Sequence, residues 1–434
     1  MRSLLRSLAF VTLTLSACGS GDDASARGPD AELDAEADSV VAREDSGLAI
    51  ESGSDTATAS DAAADVKATD TAGLTDREKQ LIDMPSDTFL KVPVGYRAKC
   101  DDSGEWRLVM GCEGLLAAWS SGAYDPMHHQ MLLFGGGHMD YGGNEVYAFD
   151  VKTFGWSRLT EPSKGPYDKD PLDDGRPVSR HTYDGLTWIE HTATMMAWGG
   201  ARATSGGGTN VTWFFDPATK SWKNPAVTDA PGGSYDLSLV YDPVTKKVFE
   251  KGGEAFNVFD FATSTWKKVR DFGYPPYWPR YAGGHPRGTL DTKRRVAWFV
   301  GGGLYMLYAI DSDEFVTDKW ITTGGGDFDN SAVAGGYAGE AIKTGGGDVI
   351  GAGAPGLDYD AKADQMVAWT GGAPYALDLA TKVWTRKKGA GDLPPPPTDT
   401  GTYGRFRYLR EYNVFVLVTS SDAVYFYKNT PGGP

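Results

Sequence analysis

One short phrase recurs five times between residues 131 and 384: an apolar strand, a Gly-Gly pair, a second strand ending in an acidic residue, a turn and then Trp. Its copies carry Gly135-Gly136, Asp150 and Trp156; Gly199-Gly200, Asp216 and Trp222; Gly252-Gly253, Asp260 and Trp266; Gly301-Gly302, Asp311 and Trp320; and Gly371-Gly372, Asp378 and Trp384. Self-similarity of this kind indicates a repeat architecture, in which each unit is a small sheet that stacks on its neighbours because it cannot cover its own apolar faces.

A sixth unit at residues 403–428 contains three apolar strands, with Ser420-Ser421 where the other units have glycines. The chain ends soon after the third strand, so an outer strand is missing from this unit. The apolar segment at residues 89–92 predicts that strand, and pairing it with the C-terminal strand closes a ring. The count is therefore six, or seven if the Gly-rich stretch at residues 322–353 contains a degenerate unit; we interpret that stretch as an insertion.

The repeat resembles the kelch repeat of galactose-oxidase-like β-propellers over residues 81–430. This resemblance implies an all-β fold of four-stranded blades arranged radially around an axis, with the outer-strand Trp packed between neighbouring blades. A propeller of this kind serves many functions, so the resemblance predicts the fold and leaves the function to the site residues.

The first residues have the features of an export signal. Arg2 and Arg6 precede a short apolar stretch, and Leu15-Ser16-Ala17-Cys18 resembles a bacterial lipobox, in which the Cys is acylated and becomes the mature N-terminus. The alternative is an ordinary signal peptide that happens to contain a Cys. We predict a signal peptide at residues 1–17 and a lipid on Cys18 that anchors the exported protein to a bacterial membrane, at the outer membrane or the cell surface.

Residues 18–80 are rich in Asp, Ala, Ser, Thr and Gly, a composition that predicts a disordered tether. Residues 19–80 contain sixteen acidic and five basic side chains, a net charge of −11 out of −16 for the whole chain. Self-repulsion extends such a tether and lifts the domain away from the membrane. Neither the tether nor the domain has the basic excess that nucleic-acid binding requires.

Two cysteines, Cys100 and Cys112, precede the first repeat. In an exported protein we expect them to form a disulfide, the alternative being two buried free thiols. They are not part of a CxxC or Cys/His pattern, so they do not indicate a metal site.

Long polar loops concentrate on one face of the expected ring. In a four-stranded blade, the loop between strands two and three lies on the same face as the connection to the next blade, and function usually resides in such loops. The insertions at residues 161–177 and 322–353 also fall on this face. The candidate residues that these segments contribute are His138, Asp140, Tyr141, Asn144, Glu145, Arg180, His181, Tyr183, Arg202, Tyr277, Trp278, Arg280 and Tyr281.

Each candidate also has a structural interpretation. Arg180 and Arg280 occupy positions where many kelch repeats use Arg for pairing between blades, and Tyr277 and Trp278 are plausible packed lids. His138 would then cap its glycine turn, and the polar residues of the same loop would make hydrogen bonds within it. Three other histidines fall in or near turns between strands one and two, on the opposite face. We interpret them as surface or structural groups: His128, His129 and His191.

An aromatic platform beside Arg, His and Tyr suits an anionic sugar, because aromatic faces stack on a pyranose and Arg pairs with a carboxylate. The reaction that this set favours is β-elimination on a uronic-acid polysaccharide, which needs a group that neutralises the carboxylate, a base and an acid. The candidates for catalysis are His138, His181, Tyr183 and Arg180. Propeller polysaccharide lyases, including ulvan lyases, are similar in using these residue types on a propeller face. The substrate-binding candidates are Arg202, Tyr277, Trp278, Arg280, Tyr281, Asp140, Tyr141 and Asn144.

Other functions stay open at this stage. A tethered propeller also suits a non-catalytic module that binds glycans or surface proteins. A copper radical oxidase, which the family resemblance raises, needs a Tyr crosslinked to a Cys, and the two mature cysteines besides the lipidated one precede the first blade, close enough to pair with each other. A hydrolase needs two opposed carboxylates, for which Asp140 and Glu145 are the candidates. A calcium ion at Asp140, Asn144 and Glu145 is a weaker prediction, since the spacing is unlike that of an EF-hand, and we predict no other cofactor.

Overall fold

The computed structural model describes residues 73–252, 255–271, 285–302, 304–316, 319–322, 326–329, 347–380 and 383–434. The predicted signal peptide and Cys18 therefore lie outside the described residues. Within the described ranges, no helix is both long and apolar enough to cross a membrane.

A helix and a strand precede the repeats. α1 (Asp76–Ile82) begins with a capping box, in which the Thr75 side chain accepts from the Glu78 N–H and the Glu78 carboxylate accepts from the Thr75 N–H. Leu81 of this helix is fully buried, so the helix packs against the folded structure. The strand β1 (Thr88–Val92) follows. Short 3₁₀ turns at Tyr96–Lys99, Glu105–Arg107 and Gly111–Glu113 then lead into α2 (Gly114–Ala117).

The repeats form six antiparallel sheets. Blade one contains β2 to β5 (Gly122–Asp125, Gln130–Leu133, Tyr147–Asp150, Gly155–Arg158). Blade two contains β7, β8, β10 and β11 (Leu186–Ile189, Thr194–Ala197, Trp213–Asp216, Ser221–Lys223). The short strands β6 (Arg180–His181) and β9 (Ala201–Arg202) pair with each other in a separate two-stranded ladder. Blade three contains β12 to β15 (Ser238–Asp242, Lys247–Lys251, Ala255–Asp260, Thr265–Asp271) and blade four contains β16 to β19 (Arg287–Asp291, Val296–Gly301, Leu304–Ala309, Glu314–Phe315).

A hairpin, β20 and β21 (Lys319–Thr322, Gly326–Asp329), and a helical turn, α3 (Gly347–Ile350), separate blade four from blade five. Blade five contains β22 to β25 (Gly356–Asp360, Gln365–Trp369, Tyr375–Asp378, Val383–Arg386), β26 (Ala390–Gly391) follows, and blade six contains β27 to β29 (Phe406–Leu409, Val414–Leu417, Val424–Lys428) together with β1.

The first strand of each blade lies innermost, and these six strands close a ring. β2 contacts β7, and the contacts continue through β12, β16, β22 and β27 and return to β2. The structure is therefore a six-bladed β-propeller, as the repeat predicts. The ring closes as expected, because β1 pairs antiparallel with β29 from Thr88 opposite Lys428 to Val92 opposite Val424. β26 adds a short parallel contact on the outer side of β1.

The acidic residue that ends many strands of the repeat has a local structural role. The Asp125 carboxylate accepts from the backbone N–H groups of Met127 and His128, and Asp291 accepts in the same way from Lys293 and Arg294. These contacts are Asx turns, which hold the hairpin in place of backbone hydrogen bonds. The same arrangement recurs after other strands, at Asp150, Asp216, Asp242, Asp260, Asp360 and Asp378.

Aromatic side chains fill the spaces between blades. Trp222 on the outer strand of blade two lies 4.9 Å from Phe134 of blade one, and Trp266 of blade three lies 4.7 Å from Trp198 of blade two, measured between ring centroids. Trp320 does not occupy the equivalent position in blade four, although the repeat suggests that it does. The outer strand there is β19, and its Phe315 packs 5.3 Å from Phe256 of blade three, while Trp320 belongs to the hairpin β20–β21.

The predicted disulfide between Cys100 and Cys112 is present. It closes a loop before blade one, where Cys112 is fully buried and its carbonyl accepts a hydrogen bond of 3.0 Å from the Tyr96 hydroxyl. The disulfide thereby fixes the polar segment that leads into the first inner strand.

Candidate functional site

Six residues stand at equivalent positions just before the six inner strands, and we call them the entry ring. Its members are Trp119, Tyr183, Asp236, His285, Ala354 and Tyr403. Each lies two or three residues before the first residue of its strand, at the end of the propeller axis that the blade connections share. Because the inner strands surround the axis, this position brings side chains that are far apart in the sequence to one place.

Five entry-ring residues adopt a left-handed backbone conformation. Their φ angles are +46° at Trp119, +49° at Tyr183 and Asp236, +48° at Ala354 and +50° at Tyr403. This conformation costs a non-glycine residue roughly 1–2 kcal/mol, and such residues concentrate at functional sites. Backbone hydrogen bonds between neighbouring blades stabilise it, including 2.6 Å from the Tyr183 N–H to the Trp119 carbonyl and 2.7 Å from the Ala354 N–H to the His285 carbonyl.

The aromatic members of the entry ring contact one another. The rings of Tyr183 and His285 stack with centroids 5.6 Å apart and planes inclined by 10°. Tyr403 meets both of them edge-on, at 6.4 Å and 6.3 Å. His285 Nδ1 also lies 2.6 Å from Asp236 Oδ1, although it is not aligned for a hydrogen bond. The cluster therefore combines an imidazole, two phenols and a carboxylate at the axis.

His181 lies beside this ring and is held by two partners. Its Nε2 is 2.8 Å from Asp140 Oδ2, and its ring centroid lies 4.8 Å from that of Trp119. The residue is only 4 % exposed, and burial lowers the pKa of His181 more than the hydrogen bond to Asp140 raises it. The imidazole is consequently neutral near pH 7, with Nε2–H as donor to Asp140 and Nδ1 as the basic nitrogen.

His138 stands above His181 at the rim. It is exposed, and its ring centroid lies 5.6 Å from that of His181. The backbone of His138 and Met139 is left-handed, with φ of +31° and +69°. A Cβ at Gly206 would lie 2.3 Å from His138 Nε2, so only glycine permits the adjacent loop to approach this imidazole so closely.

Arg202 borders the same loop. Its Nε donates to the Gly207 carbonyl at 3.1 Å and its Nη1 donates to the Asp168 carbonyl at 3.0 Å, and the side chain is partly exposed. Nη2 has no partner among the described residues. This nitrogen is therefore the cation donor that the described part of the face offers next to His138.

The predicted candidates His138, Asp140, His181, Tyr183 and Arg202 thus lie on one face and close to one another. Arg180 has a different environment. Its guanidinium is 1 % exposed, pairs with Asp170 at 2.8 Å and donates to the carbonyls of Val178 and Gly199. This geometry favours the structural interpretation of Arg180, because its donors are already used within the protein.

Tyr141, Asn144 and Glu145 are buried in the same loop and point to different partners. Asn144 donates to Ser163 and to the Pro177 carbonyl, at 2.7 Å and 2.8 Å. Glu145 accepts from the hydroxyls of Tyr141 and Tyr147, and burial raises its pKa. Because Asp140 faces His181 instead, the three oxygen groups suggested for calcium do not converge on one point. No group of three or more His, Cys, Asp or Glu in the described ranges is arranged to hold a metal ion.

Four substrate-binding candidates lie outside the described residues, namely Tyr277, Trp278, Arg280 and Tyr281. The histidines assigned to the opposite face do not join the site. His128 pairs with Asp125 at 2.6 Å, His129 lies 2.6 Å from the Tyr412 hydroxyl, and His191 lies 2.7 Å from the Tyr241 hydroxyl.

Several members of the site were not among the sequence candidates, namely Trp119, Asp236, His285 and Tyr403. They precede strands by two or three residues and do not belong to the long loops on which the prediction concentrated. The position itself is a usable signal: counting back from each inner strand to the equivalent residue finds all six members of the entry ring.

Searches against known protein families and curated proteins find no match to this chain. The functional argument therefore depends on the geometry of the site.

Proposed function

We propose that the face carrying His181 binds an acidic polysaccharide and cleaves it by β-elimination. The observation that supports this most directly is the neutral, buried His181, oriented by Asp140 and next to Tyr183 at the end of the axis. A general base must be unprotonated at its working pH and must be held in one orientation, and His181 meets both requirements.

In the proposed reaction, His181 Nδ1 removes the proton from C5 of a uronic-acid residue. The electron pair of that C–H bond forms the C4–C5 double bond, and the C4–O bond breaks. Tyr183 protonates the departing oxygen. The hydroxyl of Tyr183 is protonated near pH 7, because burial raises its pKa further above neutrality, and the Tyr183 ring centroid lies 6.1 Å from that of His181.

Removal of the C5 proton becomes easier when the neighbouring carboxylate is neutralised. Arg202 Nη2 and the exposed His138 flank the Gly206-Gly207 backbone and are the described groups placed to contact that carboxylate. The indole of Trp119 is partly exposed and lies against His181, which provides an aromatic face for a sugar ring.

The second candidate function is a non-catalytic propeller that binds glycans or a surface protein, which the same aromatic and polar face would serve. A copper radical oxidase is less favoured. Both described cysteines are used in one disulfide, so neither is available for a bond to Tyr183 or Tyr403.

The test incubates the full-length protein with alginate, pectate, ulvan and glycosaminoglycans, and follows the ultraviolet absorbance of the unsaturated product. His181→Ala and Tyr183→Phe are each expected to lower kcat by about 10²- to 10⁴-fold. His128→Ala on the opposite face is the matched control and should retain activity. Binding of a polymer without turnover would favour the non-catalytic module. If none of the polymers is bound or cleaved, the proposal is overturned.

We further propose that a lipid on Cys18 attaches this propeller to a bacterial membrane. Labelling of the wild type with a fatty-acid analogue, and its loss in Cys18→Ser, is the expected result. A labelled Cys18→Ser protein would contradict it.

A further inference from the structure

The far end of the propeller axis, opposite the entry ring, contains a cavity of about 240 Å³. The penultimate residue of every inner strand lines it, and we call these six residues the penultimate ring: Tyr124, Trp188, Tyr241, Leu290, Tyr359 and Tyr408. Each is five residues after its counterpart in the entry ring. At about 3.3 Å per residue, the two rings are separated by roughly 16 Å along the axis.

The tyrosine hydroxyls of the penultimate ring are held at the rim of the cavity. Tyr359 donates to Asp364 at 2.8 Å and Tyr408 donates to Asn413 at 3.0 Å, and both partners lie in hairpin turns. Tyr124 donates to Glu411 and Tyr241 pairs with His191, which are also turn residues. Because the hydroxyls are bound at the rim, the walls below it present aromatic carbon.

A cation lies in the deeper part of this cavity. Arg407 lines the cavity and retains some solvent exposure, although it is surrounded by protein. Its Nε donates to the Gly404 carbonyl at 3.1 Å and its Nη2 makes a long contact of 3.4 Å to the Gly122 carbonyl. Nη1 has no partner among the described residues.

The acidic group nearest the floor does not neutralise Arg407 by direct pairing. Asp358 accepts from the Thr289 hydroxyl and from the backbone N–H groups of Tyr359 and Tyr408. A second guanidinium, Arg287, is close enough to lower the pKa of Arg407, after the larger effect of burial, and Nε and Nη2 of Arg287 also lack hydrogen-bond partners. The floor thus has one guanidinium nitrogen, Arg407 Nη1, that the described residues leave without a partner, and a second, fully buried guanidinium, Arg287, lies near it.

We propose that this cavity is a second binding site, which takes a carboxylated sugar of one ring, with the carboxylate on Arg407 and the ring between the aromatic walls. The volume equals that of about eight water molecules at roughly 30 Å³ each, which suits one substituted six-membered ring. Aromatic walls favour the apolar face of a pyranose, and a guanidinium favours a carboxylate. The site lies opposite the proposed catalytic face and does not depend on catalysis there.

The test is calorimetric titration of the full-length protein with D-glucuronate, with D-glucose and benzoate as comparison ligands. Arg407→Met is expected to weaken glucuronate binding by about 10- to 100-fold, the usual effect of losing a charged hydrogen bond. Leu290→Phe completes the aromatic ring and fills the cavity without removing a donor, and should weaken binding by about tenfold or more. Arg158→Met removes a cation from the outer strand of blade one and is the matched control, for which unchanged affinity is expected.

His181→Ala separates the two ends of the axis and should leave this binding unchanged. The proposal is overturned if glucuronate does not bind at about 10 mM, where even a millimolar site is largely occupied. It is also overturned if Leu290→Phe binds like the wild type, or if His181→Ala abolishes the signal. Benzoate binding as tight as that of glucuronate would overturn the assignment to a sugar.

Discussion

Asp184 lies on the propeller axis, because its carboxylate contacts groups from three other blades. Oδ1 accepts from the Ser121 hydroxyl of the segment entering blade one at 3.2 Å, and Oδ2 accepts from Ser238 of blade three at 2.5 Å. Oδ2 also accepts from Arg287 Nη1 and from the Gly288 N–H of blade four, both at 2.8 Å. The side chains of Asp184 and Arg287 are fully buried. One carboxylate thus joins four of the six blades.

Asp184→Ala is expected to lower the free energy of unfolding by about 3–5 kcal/mol, because it leaves the buried Arg287 without its counter-charge. The double variant Asp184→Ala/Arg287→Met removes both charges and should recover most of that loss. Glu161→Ala is the matched control: Glu161 pairs with Arg158 at 2.6 Å but is 73 % exposed, so its loss should cost less than about 1 kcal/mol.

Equilibrium urea unfolding, followed by tryptophan fluorescence, measures these differences as shifts in midpoint at constant m-value. A cost below about 1 kcal/mol for Asp184→Ala would refute the argument that the buried pair holds the inner strands together. A double variant as unstable as the single one would refute the role given to the unpaired guanidinium.

The acid limb of kcat/KM on a cleaved polymer is expected below pH 6.5, because burial lowers the pKa of His181 and the base must be unprotonated. In Asp140→Asn the limb should move further to acid, since Asp140 raises this pKa; a wild-type limb above 6.5 in the pH–rate profile would contradict the assignment. Replacing Cys100 and Cys112 by Ser should lower the free energy of unfolding by about 3 kcal/mol, the value for a closed loop of this length, as measured by urea unfolding. An unchanged midpoint would show that the disulfide does not stabilise the protein by restricting the unfolded chain. Trp119→Gly should be more stable than Trp119→Ala by about 1 kcal/mol, because φ is +46°, and thermal unfolding in the opposite order would exclude backbone strain at this residue.

The fold was predictable because the repeat specifies it many times over. An apolar strand, a Gly pair and an Asp-terminated strand recur, and the missing strand of the last unit predicts the pairing of β1 with β29 that the structure has. Trp320 shows the limit of matching by residue type. The motif has a Trp at about the expected distance, yet the blade uses Phe315, because the chain turns back after Asp313 and Phe315 then faces Phe256.

The site was predictable in part. Sorting loops by face brings His138, Asp140 and His181 together, as the structure does. The sequence alone does not distinguish Arg180 from Arg202, because the difference lies in partners: Asp170, from a distant part of the connecting segment, pairs with Arg180, and Arg202 keeps one nitrogen unpaired. The sequence prediction missed His285 and Tyr403, because their role comes from ring stacking across the axis, which depends on closure of the propeller.

A propeller repeats one backbone position six times around its axis, so each end of the inner strands forms a ring whose chemistry the sequence sets residue by residue. At the entry ring, glycine would adopt the left-handed backbone at least cost, yet Trp, Tyr and Asp occupy that position. Between the two rings, Asp184 and Arg287 form a buried ion pair. The rings lie roughly 16 Å apart along the axis, which separates a ligand at one end from a ligand at the other. We therefore expect the two ends to bind independently.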